Sequence, residues 1–190
     1  MEKDQNSNFF YPPGGILIWI IIFLEVSVFF IALLVMKYYA EGDLQTYRDS
    51  AKSLSLLSGT ANTIILLISG YFMAKALHWY RQQDLQKYRR SLLITMSSGG
   101  VFIVIKMIEY FDKVSHGLTI STNPFFTFYW LITAFHLLHV LIGMAILLYL
   151  YTKIDEAYSE DYPLNLEAGA AFWHMCDLIW VMIFPTLYLM

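Results

Sequence analysis

Residues 167–190 read EAGAAFWHMCDLIWVMIFPTLYLM, and the rest of the chain is organised around this stretch. It is long and apolar enough for a helix to cross a bilayer, yet three ionisable residues interrupt it: Glu167, His174 and Asp177. At about 3.6 residues per turn, these three lie within about 80° of one another on one side of a helix. An ionisable side chain at mid-membrane costs at least about 2.5–3.5 kcal/mol, so it normally faces another helix or a wet cavity. The stretch therefore predicts a membrane helix whose polar face is covered by other helices.

The composition is that of an integral membrane protein. Of the 190 residues, 58% are hydrophobic and 17% are aromatic, a larger apolar share than soluble domains carry. The formal net charge of −3 is too small to indicate binding of nucleic acid. The one cysteine, Cys176, lies in an apolar span, which excludes an intrachain disulfide and a Cys-x-x-Cys metal or redox pair.

Five apolar stretches are long enough to cross the hydrocarbon core as helices. They cover residues of about 16–36, 54–78, 91–111, 125–151 and 169–190. The acidic start of the chain lacks the basic region of a signal peptide, and the first apolar run is too long for one. We predict an all-α membrane protein with five transmembrane helices in a bundle, forming one integral membrane domain over residues 1–190.

The distribution of lysine and arginine predicts the orientation of the chain. If the N-terminal tail, the basic loop 79–90 and the connection 152–166 lie on one side, that side holds six of these residues and the other holds four. Because cytoplasmic loops carry the excess of basic residues, we predict a cytoplasmic N-terminus and an external C-terminus.

Glu25, near the middle of the first span, has two candidate partners at a similar depth, His136 and His139 of the fourth span. A lone carboxylate in hydrocarbon takes up a proton, whereas a neighbouring imidazole stabilises its ionised form. Two interpretations stay open: a site that holds a proton or a lipid headgroup, and a static hydrogen bond between helices. Metal or haem ligation is disfavoured, since b-type haem normally takes its axial ligands from two helices and a zinc site needs a third ligand. We therefore predict no bound metal.

Lys106 and Glu109 lie three positions apart near the outer end of the third span. We predict that they form an interfacial ion pair, with the lysine reaching toward the membrane surface. Asn62 belongs to a stripe of small and polar residues in the second span, the pattern of a close helix contact.

The aromatic residues, Tyr129 among them, are predicted to pack or to form belts at the membrane surface. Trp173 and Trp180 flank the polar face of the last span, as candidate walls of a cleft. Motifs of soluble enzymes, such as the P-loop, the dinucleotide fingerprint and the nucleophile elbow, are absent from the sequence. An autonomous proton-coupled transporter that uses Glu25 and His174 is an alternative function, although no inverted repeat supports it.

Four motifs resemble the subunit III family of the haem-copper oxidases, in its short form of five helices. They are Glu25-Val-Ser-Val-Phe-Phe, Asn62-Thr63 before an apolar run, Phe135-His136-Leu-Leu-His139-Val-Leu-Ile-Gly143, and Glu167-x6-His174-x2-Asp177-x2-Trp180. In this family the carboxylate of the first motif is a known intramembrane acid. The motif Lys106-x-x-Glu109-Tyr110 resembles the NorE-type branch, which accompanies nitric oxide reductase.

The resemblance implies a non-catalytic accessory subunit that binds no haem or copper itself. Such a subunit packs against the catalytic subunit I, which carries haem with copper or non-haem iron. It also holds phospholipid in a cleft between helices 1–2 and helices 3–5, and it supports stability and proton uptake. By motif match, the residues that line this cleft or tie its helices would be Glu25, His136, His139, Glu167, His174 and Asp177. The expected setting is a bacterial inner membrane, with nitric oxide as the preferred acceptor and oxygen, in a cytochrome c or quinol oxidase, as the alternative.

Overall fold

The computed structural model describes residues 12–157, 159 and 161–190, and throughout that part of the chain the regular structure is helical. Its elements are α1 (Ile16–Gly42), α2 (Leu44–Lys52), α3 (Leu56–Arg81), α4 (Leu85–Ser115), α5 (Pro124–Thr152), the 3-10 turn Ile154–Glu156 and α6 (Tyr162–Tyr188). Five of them, α1 and α3 to α6, are long and apolar enough to cross a membrane. The prediction of an all-α bundle with five membrane spans is confirmed.

The helices extend beyond the predicted spans, because hydropathy marks the hydrocarbon core rather than the ends of helices. The connection predicted after residue 36 contains the last turns of α1 and the short helix α2. Of the predicted basic loop 79–90, only residues 82–84 lie outside helices, because α3 continues to Arg81 and α4 begins at Leu85. Asp84 caps α4 by accepting a hydrogen bond from the Lys87 N–H at 3.0 Å. The Lys87 side chain also bonds the Asp84 carboxylate, which lowers the pKa of Asp84 below its usual value.

Among the long helices, α1, α3 and α5 pack against α6 and leave one face of it uncovered. The most extensive contact joins α3 to α4, where Ser69 Oγ donates to the Thr95 carbonyl at 3.0 Å. The second span is therefore joined to the third, and the predicted cleft that separates spans 1–2 from spans 3–5 does not match this packing. The packing instead leaves a groove between α1 and α3, which both contact α6 but have no extensive contact with each other.

Trp173 of α6 fills the middle of the bundle and is fully buried. Its ring lies in a notch between two helices, because Gly99 of α4 and Gly143 of α5 have no side chains. A Cβ atom added to these glycines would stand 2.7 Å and 2.9 Å, respectively, from carbons of the indole ring. The indole Nε1 donates to Ser69 Oγ at 3.1 Å. A single side chain of α6 thus contacts α3, α4 and α5.

Contacts at the helix ends define the two faces of the bundle. On one face the Tyr80 hydroxyl donates to the Ala157 carbonyl at 2.7 Å, which joins the end of α3 to the connection before α6. On the other face Asn123 Nδ2 donates to Ser50 Oγ at 2.8 Å, which joins the start of α5 to α2. This alternation is the one expected of five consecutive spans. Which face is cytoplasmic stays a prediction.

Candidate functional site

The six predicted cleft residues lie in four separate environments. Glu25 and His139 meet between α1 and α5, His136 lies in the core, Glu167 lies near the start of α6, and His174 and Asp177 lie farther along α6. They do not line a single cleft, because a similar depth in the membrane does not place side chains on the same side of a bundle.

Glu25 of α1 faces His139 of α5, with Oε2 3.2 Å from Nε2. The other ring nitrogen, Nδ1, lies 2.8 Å from the Phe135 carbonyl oxygen of the same helix, so Nδ1 carries a hydrogen and donates it. If the His139 ring is neutral, its Nε2 is a hydrogen-bond acceptor. The Glu25 oxygen that faces Nε2 is also an acceptor unless the carboxyl group is protonated. The two groups are therefore complementary when they share one proton, on Glu25 or on His139. The pair has no net charge in either form.

This pair is partly open to its surroundings. The Glu25 side chain is 27% exposed and that of His139 is 7% exposed. Phe29 and Phe135 pack edge-on against the imidazole, with ring centroids at 5.6 Å and 4.7 Å. Glu25 Oε2 itself is buried, and its angle to His139 does not make a hydrogen bond in this conformation. The two groups are thus close enough to interact but do not form a hydrogen bond in this arrangement.

His136 and Asn62 are polar side chains buried in the core. The His136 ring stacks on Trp180 at 5.4 Å between centroids and meets Phe102 edge-on at 5.8 Å. Among the described residues, neither nitrogen of His136 and neither amide atom of Asn62 has a hydrogen-bond partner. Trp173 and Trp180, predicted as cleft walls, are both fully buried core residues. They are internal because α3 and α4 cover the side of α6 that carries them.

Lys106 and Glu109 form an ion pair, with Nζ 3.1 Å from Oε1, but the pair lies inside the bundle. The two side chains are 1% and 2% exposed, so the predicted interfacial location is wrong. Tyr129 of α5 and Tyr188 of α6 both donate to Glu109 Oε1 at 2.6 Å, and Lys106 donates to the Tyr188 hydroxyl at 2.8 Å. The reason is that Tyr129 of α5 and Tyr188, the last residue of α6, lie over the lysine and enclose its ammonium group.

The two tyrosine partners were missed by sequence reasoning, which treated Tyr129 as a packing residue and did not single out Tyr188. The sequence feature that could have indicated them is a tyrosine, with its polar hydroxyl, inside an apolar span. A buried tyrosine hydroxyl usually has a hydrogen-bond partner, and Glu109 was a carboxylate within reach of the same end of the bundle.

Glu167 lies near the start of α6 and fastens two other segments to it. Its Oε1 accepts a hydrogen bond from Arg81 Nη2 at 3.0 Å, and its Oε2 accepts one from the Gly14 N–H at 3.2 Å. Gly14 has φ of 76° and lies so close to α6 that an added Cβ would stand 2.7 Å from the Ala168 backbone. Glu167 therefore holds the turn before α1 and the end of α3 in place.

His174 and Asp177 form a polar pair on α6, with Nδ1 3.7 Å from Oδ2. Asp177 packs against Gly70 of α3, where an added methyl group would overlap its carboxylate. Asp177 is 8% exposed and its Oδ1 is buried without a partner, whereas the His174 side chain is 46% exposed. The prediction that other helices cover the polar face of this span is thus met for Asp177 and not for His174.

The ionisable side chains of each of these environments lie apart from those of the others. Among the residues that the structure describes, no three His, Cys, Asp or Glu side chains converge. The His136 ring is enclosed by aromatic rings, and both nitrogens of His139 face other partners, the Phe135 carbonyl and Glu25. The chemistry that these residues offer is the holding of protons and the joining of helices.

Comparison with known proteins points to one family. The family model described as cytochrome c oxidase subunit III matches residues 53–190. A protein of Synechocystis sp. is 31% identical over 144 residues, which cover 75% of this chain and 60% of that protein. One of Spodoptera frugiperda is 30% identical over 128 residues, covering 67% of this chain and 85% of that protein. One of Corynebacterium diphtheriae is 26% identical over 195 residues, covering 99% of this chain and 94% of that protein. All three are named cytochrome c oxidase subunit 3.

Proposed function

Because this chain belongs to the cytochrome c oxidase subunit III family, we propose that it is a non-catalytic accessory subunit of a respiratory haem-copper oxidase or nitric oxide reductase complex. The catalytic subunit I, against which the chain packs, holds the haem and the copper or non-haem iron. The chain itself binds membrane phospholipid and supports the stability and the proton uptake of that subunit. The complex lies in a bacterial inner membrane, and the N-terminus of the chain is cytoplasmic.

The observation that carries this proposal is the contact between Glu25 and His139. Both residues lie near the middle of their helices, and the pair is without net charge whichever of them holds the shared proton. A static contact between two helices needs no exposed carboxyl group, whereas Glu25 is 27% exposed. A partly open group that exchanges a proton inside the membrane suits the supply of protons to an adjacent subunit.

The proposal also concerns the terminal electron acceptor of the complex, which is either oxygen or nitric oxide. The names of the relatives favour oxygen, since all three refer to cytochrome c oxidase. The motif Lys106-x-x-Glu109-Tyr110 resembles the nitric oxide reductase branch and favours nitric oxide. Gas consumption by the purified complex distinguishes the two acceptors. When supplied with an electron donor, the complex should consume either oxygen or nitric oxide.

Purification of the full chain through an affinity tag, from the membranes of its own host, tests the accessory role. We expect a larger haem-containing subunit to copurify in a fixed ratio, and the visible haem spectrum to belong to that subunit. A chain that purifies alone and carries protons in vesicles contradicts the accessory role. That result supports the alternative of an autonomous transporter.

A Glu25→Gln variant should assemble normally but slow proton delivery or shorten the working lifetime of the complex. The glutamine amide is a donor of similar size that faces His139 Nε2, so the contact between α1 and α5 is kept while the exchangeable proton is lost. Because Glu25 supports proton transfer without taking part in the reaction, we expect an effect of about ten-fold at most. Turnover rate and the time to half-inactivation of the purified complex are the measurements.

Glu41→Gln is the matched control, since Glu41 lies on the same helix at its exposed end. This control should leave both the turnover rate and the lifetime unchanged. If Glu25→Gln behaves like Glu41→Gln, the Glu25–His139 pair is a structural contact only.

A further inference from the structure

We infer that the uncovered face of α6, between α1 and α3, is the docking surface for one transmembrane helix of a partner subunit, and that this helix supplies a hydrogen-bond donor to Asp177. The inference rests on the proposed function, because it requires a partner within the membrane. It adds the place of contact and the chemistry that the partner helix must carry.

The docking surface is flanked by α1 and α3. On the α3 side, Asp177 of α6 packs against Gly70. On the α1 side, Met182 lines a pocket together with Phe30. Between these contacts one stripe of α6 remains at least partly exposed, and it comprises Ala171, His174, Leu178, Val181 and Pro185. Its members alternate at spacings of three and four residues, the spacing by which one helix packs on another.

His174 belongs to this stripe, and Asp177 lies beside it on the α3 side. Along the axis of α6, His174 and Asp177 lie about 18 Å and 23 Å from the first residue of a helix about 40 Å long. Asp177 Oδ2 has His174 at 3.7 Å, which is too long for a strong hydrogen bond, and Oδ1 is buried without a partner. The side chain is 11% exposed, so a donor from outside approaches the carboxyl group at Oδ2 rather than at the buried Oδ1. The carboxyl group therefore lacks a hydrogen-bond donor at a depth where lipid tails provide none.

A phospholipid does not supply this donor. Its headgroup lies at the edge of a hydrocarbon core about 30 Å thick, roughly 15 Å from the level of the pair. The cation at the end of α3, Arg81, is already bonded to Glu167. A transmembrane helix, in contrast, delivers a hydroxyl, amide or cationic side chain to any depth. It also covers Leu178 and Val181, which are 50% and 42% exposed.

A photoreactive side chain tests this surface directly. In the complex purified through the full chain, Leu178→p-benzoylphenylalanine should cross-link to a transmembrane segment of another subunit, identified by mass spectrometry. The same substitution at Val104, which is 58% exposed on α4, serves as the control for a lipid-facing position. Cross-links from position 178 to lipid alone overturn the inference and assign the groove to lipid.

A bulky residue provides an independent test. Val181→Trp should lower the haem recovered per chain about ten-fold, which corresponds to about 1.4 kcal/mol of binding, whereas Val104→Trp should leave it unchanged. Equal haem recovery for Val181→Trp and Val104→Trp overturns the docking surface but leaves the proposed function intact. Only failure of the unmodified chain to copurify with a haem subunit counts against the proposed function itself.

Discussion

A Lys106→Met variant should lose about 3–5 kcal/mol of its free energy of unfolding, because the substitution leaves the Glu109 carboxylate buried without its cation. Both side chains are almost fully buried, so solvent does not replace the missing partner. The hydroxyls of Tyr129 and Tyr188 already donate to Glu109 Oε1, and Oε2 has no partner among the described residues. The measurement is unfolding of the full chain by sodium dodecyl sulfate in mixed micelles, followed by circular dichroism.

The double variant Lys106→Met/Glu109→Leu separates the ion pair from other effects of the substitutions. Each single variant leaves one buried charge alone, whereas the double variant leaves none. We expect the loss in the double variant to be smaller than the sum of the single losses, with a coupling free energy of about 2 kcal/mol or more. Lys37→Met, at an exposed position of α1, is the control and should be nearly neutral. Additive losses would show that the pair is not coupled.

The environment of this pair illustrates which part of a site the sequence predicts. The spacing of Lys106 and Glu109 predicts that they meet, because positions three apart share a helix face. It does not predict burial, which depends on where α5 and α6 end relative to α4. The partners Tyr129 and Tyr188 come from two other helices, and the spacing within one helix carries no information about them.

The same distinction applies to Glu25. Its position in the first span predicts a depth, and the depth limits its partners to the two histidines of the fourth span. His136 and His139 lie three residues apart, so both are compatible with that depth. The choice of His139 depends on how α5 is rotated about its own axis, and that rotation is set by packing against α1, α4 and α6.

The extent of the helices was predicted least well at their polar ends. Hydropathy predicts the five spans because each must place an apolar segment in the hydrocarbon core. It does not report helical turns that continue into water, such as those at the start of α4. The N-cap residues Asp43, Asp84 and Asn123 are the local signals for these ends, since each accepts a hydrogen bond from a backbone N–H three residues later.

A Trp173→Ala variant should lose about 3–5 kcal/mol of the free energy of unfolding, because it removes a large buried side chain through which α6 contacts α3, α4 and α5. The cavity is bordered by helix backbone at Gly99 and Gly143, which cannot relax into it as a flexible side chain can. The variant also leaves Ser69 Oγ without the indole donor. The measurement is the same unfolding titration in mixed micelles.

Two neighbouring glycines of α4 distinguish loss of this packing from a general weakening of the helix. Gly99→Ala places a methyl group against Trp173 and Met144, so it should be destabilising by about 1–3 kcal/mol. Gly100→Ala meets no atom within 4 Å, and it should be neutral or stabilising by up to about 1 kcal/mol, because alanine favours the helix over glycine. Opposite signs at adjacent positions cannot arise from helix propensity, which is the same at both. If the two variants behave alike, the notch does not fix the position of Trp173.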